Sequence, residues 1–160
     1  MAYLEEIIDT KNDIVNKLIT NEIIVQMLDT KVESPDELIG KNIFKDLYIP
    51  DTQSEAKTYI CLGVFVNKIQ NQIIKYLEIH FWIFSHQNVM DTGLGYTRVD
   101  KIQSEIDKIM NGSYQFGIDQ AQLKGSYQYK VLQDFTGVEL VYDVPNLNED
   151  TRFAVNKYDR

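Results

Sequence analysis

Two histidines, one cysteine and a few carboxylates are the side chains with which this chain could do chemistry. His80 and His86 stand in the run LEIHFWIFSH, and Glu78 precedes the first by two. In an extended strand all three share one face. A metal ion needs three or four donors converging on it. Glu78 and His86 lie far apart on that strand, about 26 Å at strand rise, so these three cannot share an ion. The spacing predicts a half-buried or interface face, and no metal ligand is assigned.

Cys61 with the distant His80 offers a nucleophile and a base, but neither sits in a family signature or beside an oxyanion-hole pattern. Cys61 reads as a small buried strand residue. Asp36, followed by Glu55-Ala56-Lys57, mimics the spaced Asp…Glu-x-Lys of metal-dependent nucleases, in which carboxylates hold Mg²⁺. Asp36 already belongs to a helix-start signal, Glu55 sits at a strand entrance, and the composition promises no basic groove. Gly93-x-Gly95 is too short for a phosphate loop, and Thr97 before a helix reads as a structural cap. No catalytic residue and no cofactor is expected, and the chain is not expected to be an enzyme. A small Mg-dependent nuclease is the minor alternative.

These side chains are carried by 160 residues, enough for one domain. With 24 acids against 16 bases the net charge is −8, which disfavours tight binding to phosphate backbones. The first 50 residues hold 10 acids and 5 bases, residues 51–110 hold 7 and 6, and the rest 7 and 5. The acidity therefore sits mostly on the N-terminal part. One cysteine allows no internal disulfide. No signal peptide or membrane span is expected, so the chain reads as cytoplasmic at synthesis.

Helical spacing of Leu4, Ile7, Ile8, Ile14, Val15, Leu18 and Ile19 predicts an amphipathic helix over 3–20. A second follows Asn21, its cap, with Ile23, Ile24, Met27 and Leu28 inward. Ser34-Pro35-Asp36-Glu37 has the form of a capping box, with Gly40 as the stop. Two strands are expected at 58–67 and 71–86, turning near Lys68–Gln70. In the second, Ile73, Leu77, Ile79, Phe81 and Ile83 share one face; Tyr76, Glu78, His80, Trp82, Phe84 and His86 share the other. A helix over 98–111 buries Val99, Ile102, Ile106, Ile109 and Met110. Strands at 121–133 and 136–145 end at Pro145. The expected fold is α+β: an antiparallel sheet of about four strands, packed by an N-terminal helical part and one central amphipathic helix. Residues 1–145 form the domain and 146–160 a polar tail.

The segments IVNKLITNEIIVQMLD, YIPDTQ, LEIHFWIFSH, YTRVDKIQSEIDKIMNG and FTGVELVYDV, in that order over residues 3–145, resemble the small neck proteins of tailed bacteriophages. The resemblance implies a non-catalytic structural protein of the virion, made in the host cytoplasm. It would form a homo-oligomeric ring at the head–tail junction as a tail terminator or tail-completion protein. The ring would be a hexamer, or a dodecamer if the protein is a head-side adaptor or stopper. Its partners would be neighbouring neck proteins and the tail tube, with no membrane involved. Genomic DNA would pass through without specific binding, which a negatively charged lumen would favour. The loops 41–57 and 87–97 and the tail 146–160 would make the contacts. Tyrosine suits surfaces that are half apolar and half wet. The residues assigned to contacts are Tyr48, Asp51, Trp82, Tyr96, Tyr127, Phe153 and Tyr158.

Overall fold

The computed structural model describes residues 4–50 and 56–148. In chain order these form α1 (Glu5–Thr20), α2 (Glu22–Leu28), β1 (Ile43–Phe44), β2 (Thr58–Gln70), β3 (Ile74–His86), α3 (Arg98–Met110), β4 (Gln122–Leu132) and β5 (Phe135–Leu147). The fold is α+β. The sheet has the order β1-β2-β3-β5-β4, with β1 parallel to β2 and every other neighbour antiparallel. The fifth strand, β1, is absent from the sequence expectation. Two residues carry no periodic signal, and tertiary bonds define it: the Asn42 side chain donates to the Thr58 carbonyl at 2.9 Å, and Ile60 N–H donates to the Asn42 carbonyl at 2.8 Å.

All three helices press on one face of the sheet. Ile14, Val15, Leu18 and Ile19 of α1, Ile24 and Leu28 of α2, and Val99, Ile102, Ile106 and Met110 of α3 meet Ile60, Leu62, Val64, Leu77, Ile79, Phe81, Ile83, Leu140, Tyr142 and Val144. Asn21 caps α2 through Ile24 N–H, and Thr97 caps α3 through Asp100 N–H, both as their residue types predict. Leu4, Ile8 and Ile23, expected in buried stripes, remain exposed. The apolar stripe of α1 is fully buried only from Ile14 onward, with Ile7 half-buried against the core. Its first turn is held by polar groups instead: Glu6 pairs with Lys75 and accepts from the Asn146 side chain at 3.1 Å. Lys75 is almost wholly buried, which is tolerable for a cation only beside an anion.

Three further expectations need correction. Ser34 makes no side-chain cap bond, and Pro35–Leu38 is a single 3₁₀ turn, because Leu38 must bury at once and lead into β1. The turn between β2 and β3 lies at 71–73 rather than 68–70; Asn71 and Gln72 both take positive φ there, and Ile73 is left exposed. Pro145 does not end β5, which runs to Leu147, two residues past the boundary the sequence implies. The Pro145 carbonyl accepts from Ile118 N–H at 3.0 Å, on the side away from β3. The missing proline N–H points the same way, where β4 has already ended, so no ladder bond is lost. Asn148 then closes the 71–73 turn by donating to the carbonyls of Ile73 and Gln72.

Candidate functional site

Among the described residues no helix lies over the second face of the sheet. Alternation puts Tyr59, Cys61, Gly63 and Phe65 of β2 there, with Glu78, His80, Trp82 and Phe84 of β3. Phe135, Glu139, Val141 and Asp143 come from β5, and Tyr127 and Tyr129 from β4. The face covers itself in part. At one end Tyr59, Cys61, Trp82, Phe84 and Phe135 form a second cluster, closed by Phe44, Tyr48, Tyr129, Val131 and Leu132. Tyr48 stacks on Phe44 with centroids 4.2 Å apart, and His86 meets Phe135 edge-on at 5.1 Å.

Toward the other end the face is charged. His80 Nε2 lies 2.7 Å from Glu78 and Nδ1 lies 2.8 Å from Glu139, so one imidazole bridges two carboxylates. Lys124 Nζ reaches the other Glu78 oxygen at 2.9 Å. Burial raises the Glu78 pKa, but hydrogen bonds from Lys124 and His80 outweigh it, and the carboxyl titrates below its usual range. The imidazole lies against Trp82 at 5.4 Å and meets the edge of Phe65 at 5.4 Å. A Cβ on Gly63 would come within 2.9 Å of both aromatic rings. A glycine at this place lets the rings lie flat on the sheet. Gly125 does the same beneath the Tyr127 ring.

The histidines and the cysteine of this chain are engaged or buried in this arrangement. Both ring nitrogens of His80 are taken by carboxylates, and His86 accepts from Asn88 N–H at 3.1 Å. Cys61 is fully buried; burial, partly offset by the Tyr48 N–H and reinforced by Asp46, pushes its thiol up to about 11, so it is a poor nucleophile at neutral pH. Among the described residues no group of three or more His, Cys, Asp or Glu is placed to hold a metal ion. Asp36 and Lys57 line different grooves, and Glu55 lies outside the described residues. The described helices include none long and apolar enough to cross a membrane.

The structure brings three of the seven sequence-assigned contact residues onto this face. Cys61, Trp82, Glu139 and Tyr127 are register neighbours across four strands, and Tyr48 N–H reaches the Cys61 sulfur at 3.4 Å. Tyr48 is half-buried, Trp82 is buried, and Tyr127 is 53% exposed. Tyr96 stands apart, in the loop before α3, beneath the Lys101 ammonium at 5.5 Å. Asp51, Phe153 and Tyr158 lie outside the described residues. Sequence reasoning placed Glu78 and His80 together but missed Glu139, Lys124 and the two glycines. Strand alternation alone carried the signal for Glu139; its pairing with β3 did not appear in the sequence.

The outer edge of β4 pairs with no described strand, yet it is poorly suited to strand addition. Its register shifts at Leu123/Gly125 and Lys130/Leu132, and Lys124 and Lys130 sit on it. A basic groove, which the composition did not promise, is present: Lys31, Lys41, Lys57 and Arg98 line one cleft at the opposite end of the helical layer from the 71–73 turn.

Comparison with protein families matches the model of the YomW family to residues 7–144, and the chain belongs to that family. The family is phage-derived, and the match points to a phage protein. No curated protein matches the chain.

Proposed function

We propose that this YomW-family chain is a non-enzymatic structural protein of a phage particle. It assembles as a homo-oligomeric ring at the head–tail junction, as a tail terminator or tail-completion protein, around the channel through which DNA passes. The observation that carries the structural reading is the uncovered sheet face. Large aromatic side chains lie on it beside satisfied ion pairs, and Phe65 and Tyr127 stay exposed. Aromatic residues with a polar rim are what protein interfaces use. The engaged nitrogens of His80 and the buried Cys61 thiol support contact rather than turnover at that face.

The number of subunits separates the two neck positions: six for the tail side, twelve for a head-side adaptor or stopper. Mass photometry of the purified chain and negative-stain images of particles are the test. A closed ring seated between head and tail is the expected result. A strict monomer at every concentration, with particles assembling normally in its absence, would overturn it. DNA cleavage with Mg²⁺ that is lost on Glu55→Ala would replace it with the nuclease alternative.

A further inference from the structure

The charges of this acidic chain are segregated by position. The basic groove lies where α2 ends, α3 begins and β2 starts, lined by Lys31, Lys41, Lys57 and Arg98 with Asp29 and Val89. Arg98 is fixed there: its guanidinium donates to the Val89 carbonyl at 2.7 Å and the Met27 carbonyl at 3.0 Å, and faces Asp29 at 3.4 Å. Lys41 reaches Glu37 at 3.4 Å in an exposed i,i+4 pair, which in water is worth little. Lys31 is exposed.

The complementary surface is on the same molecule. Glu5, Asp9 and Asp13 are exposed and spaced i, i+4, i+8 on α1, a ridge about 12 Å long. Leu4 and Ile8 flank it, 55% and 62% exposed. The start of the ridge and the groove lie toward opposite ends of the sheet, and the ridge runs on toward Lys45, which donates to the Asn12 side chain at 2.6 Å. The first turn of α1 is tied through Glu6 to Lys75 and Asn146, beside the 71–73 turn. The groove includes Thr58, the first residue of β2, which a 13-residue strand separates from that turn. A strand of that length spans about 40 Å.

We propose that the basic groove receives the acidic ridge of α1 from a second copy of this chain, head to tail. An acidic protein whose copies must touch needs a place where opposite charges meet, and this is one the described surface offers. Because the two patches differ, the contact is heterologous, the kind that closes into a ring when the rotation allows. The proposal rests on the ring reading above and names residues that would hold the ring together.

Charge reversal tests it. K31E/K41E alters exposed groove positions and D9K/D13K alters exposed ridge positions, and circular dichroism checks that each variant is folded. Each variant alone is expected to lose self-association by about 100-fold or more in mass photometry. An equimolar mixture should recover it, since each variant then presents the charge the other lacks. High salt should weaken the wild-type assembly. If either variant alone assembles like the wild type, or if the mixture fails to recover, the groove and ridge are not the contact, while the ring reading stands. If the wild type never assembles, both fall.

Discussion

The two faces of one sheet have been solved by different means. Phe81 and Trp82 are adjacent on β3 and point in opposite directions. Phe81 is fully buried among the helices and meets Tyr142 edge-on at 6.0 Å. Trp82 is also buried, yet by neighbours on its own sheet: it lies over Gly63 and against His80. The helix-covered face is built from Ile, Leu, Val, Phe81 and Tyr142, whose burial three helices complete. The other face relies on flat rings over glycines and on the linked side chains of Glu139, His80, Glu78 and Lys124. Such a face excludes water from its middle and still leaves atoms for a partner, which the first face does not.

That contrast can be broken in order of size. Phe81→Ala should cost about 3–5 kcal/mol in denaturant unfolding, since the helices cannot collapse into the cavity. Trp82→Ala should cost less, about 1–3 kcal/mol, because water can fill the space on an uncovered face. Equal losses would mean that the second face is also core. Gly137→Ala sets a Cβ against the Ile83 carbonyl oxygen, a backbone clash that strands cannot relieve without moving apart. It should destabilise by about 2–3 kcal/mol. Gly63→Ala meets only side-chain rings, which can swing away, and should cost about 1 kcal/mol with a visible change in Trp82 fluorescence. Tyr142→Phe removes a 2.7 Å bond to Asp107 and should lose about 1 kcal/mol.

The smallest effect is a pH signature. Glu105 of α3 is held below the usual carboxylate range chiefly by its hydrogen bond from Lys108, with Asn21 assisting against burial. A carboxyl whose folded pKa is lowered adds stability that is complete above its unfolded value and is lost as pH falls through the folded one. Glu105→Gln should therefore lower the unfolding midpoint at pH 7 and converge with the wild type as the pH drops below about 4. Glu78→Gln on the other face should show the same sign, and more of its effect should vanish in high salt, because Lys124 is exposed.

Much of the architecture was legible because it follows from local rules. Asn21 and Thr97 cap helices through their own side chains, and the stripe of α3 from Val99 to Met110 is a 3.6-residue repeat. The alternation in β3 sorts its two faces correctly, apart from Ile73 and the unremarked Lys75. What failed depended on partners distant in sequence. Leu4 and Ile8 fit the period of α1, but no described residue covers them. β1 exists through Asn42 and Ile60. Pro145 stays in β5 because β4 has ended on the side where its N–H is missing. At the candidate surface, Trp82 and Tyr127 were chosen as aromatic residues. That they share a row with Glu139 depended on strand order.

Composition and periodicity determined the class, the helices, the long strands and the acidic N-terminal part, since each is a sum over neighbours in the chain. Tertiary structure alone decided which face the described helices leave open, because that depends on where all three dock. It also decided where the few cations gather. Lys31, Lys41, Lys57 and Arg98 are scattered through the sequence, and only the meeting of α2, β2 and α3 turns them into one groove.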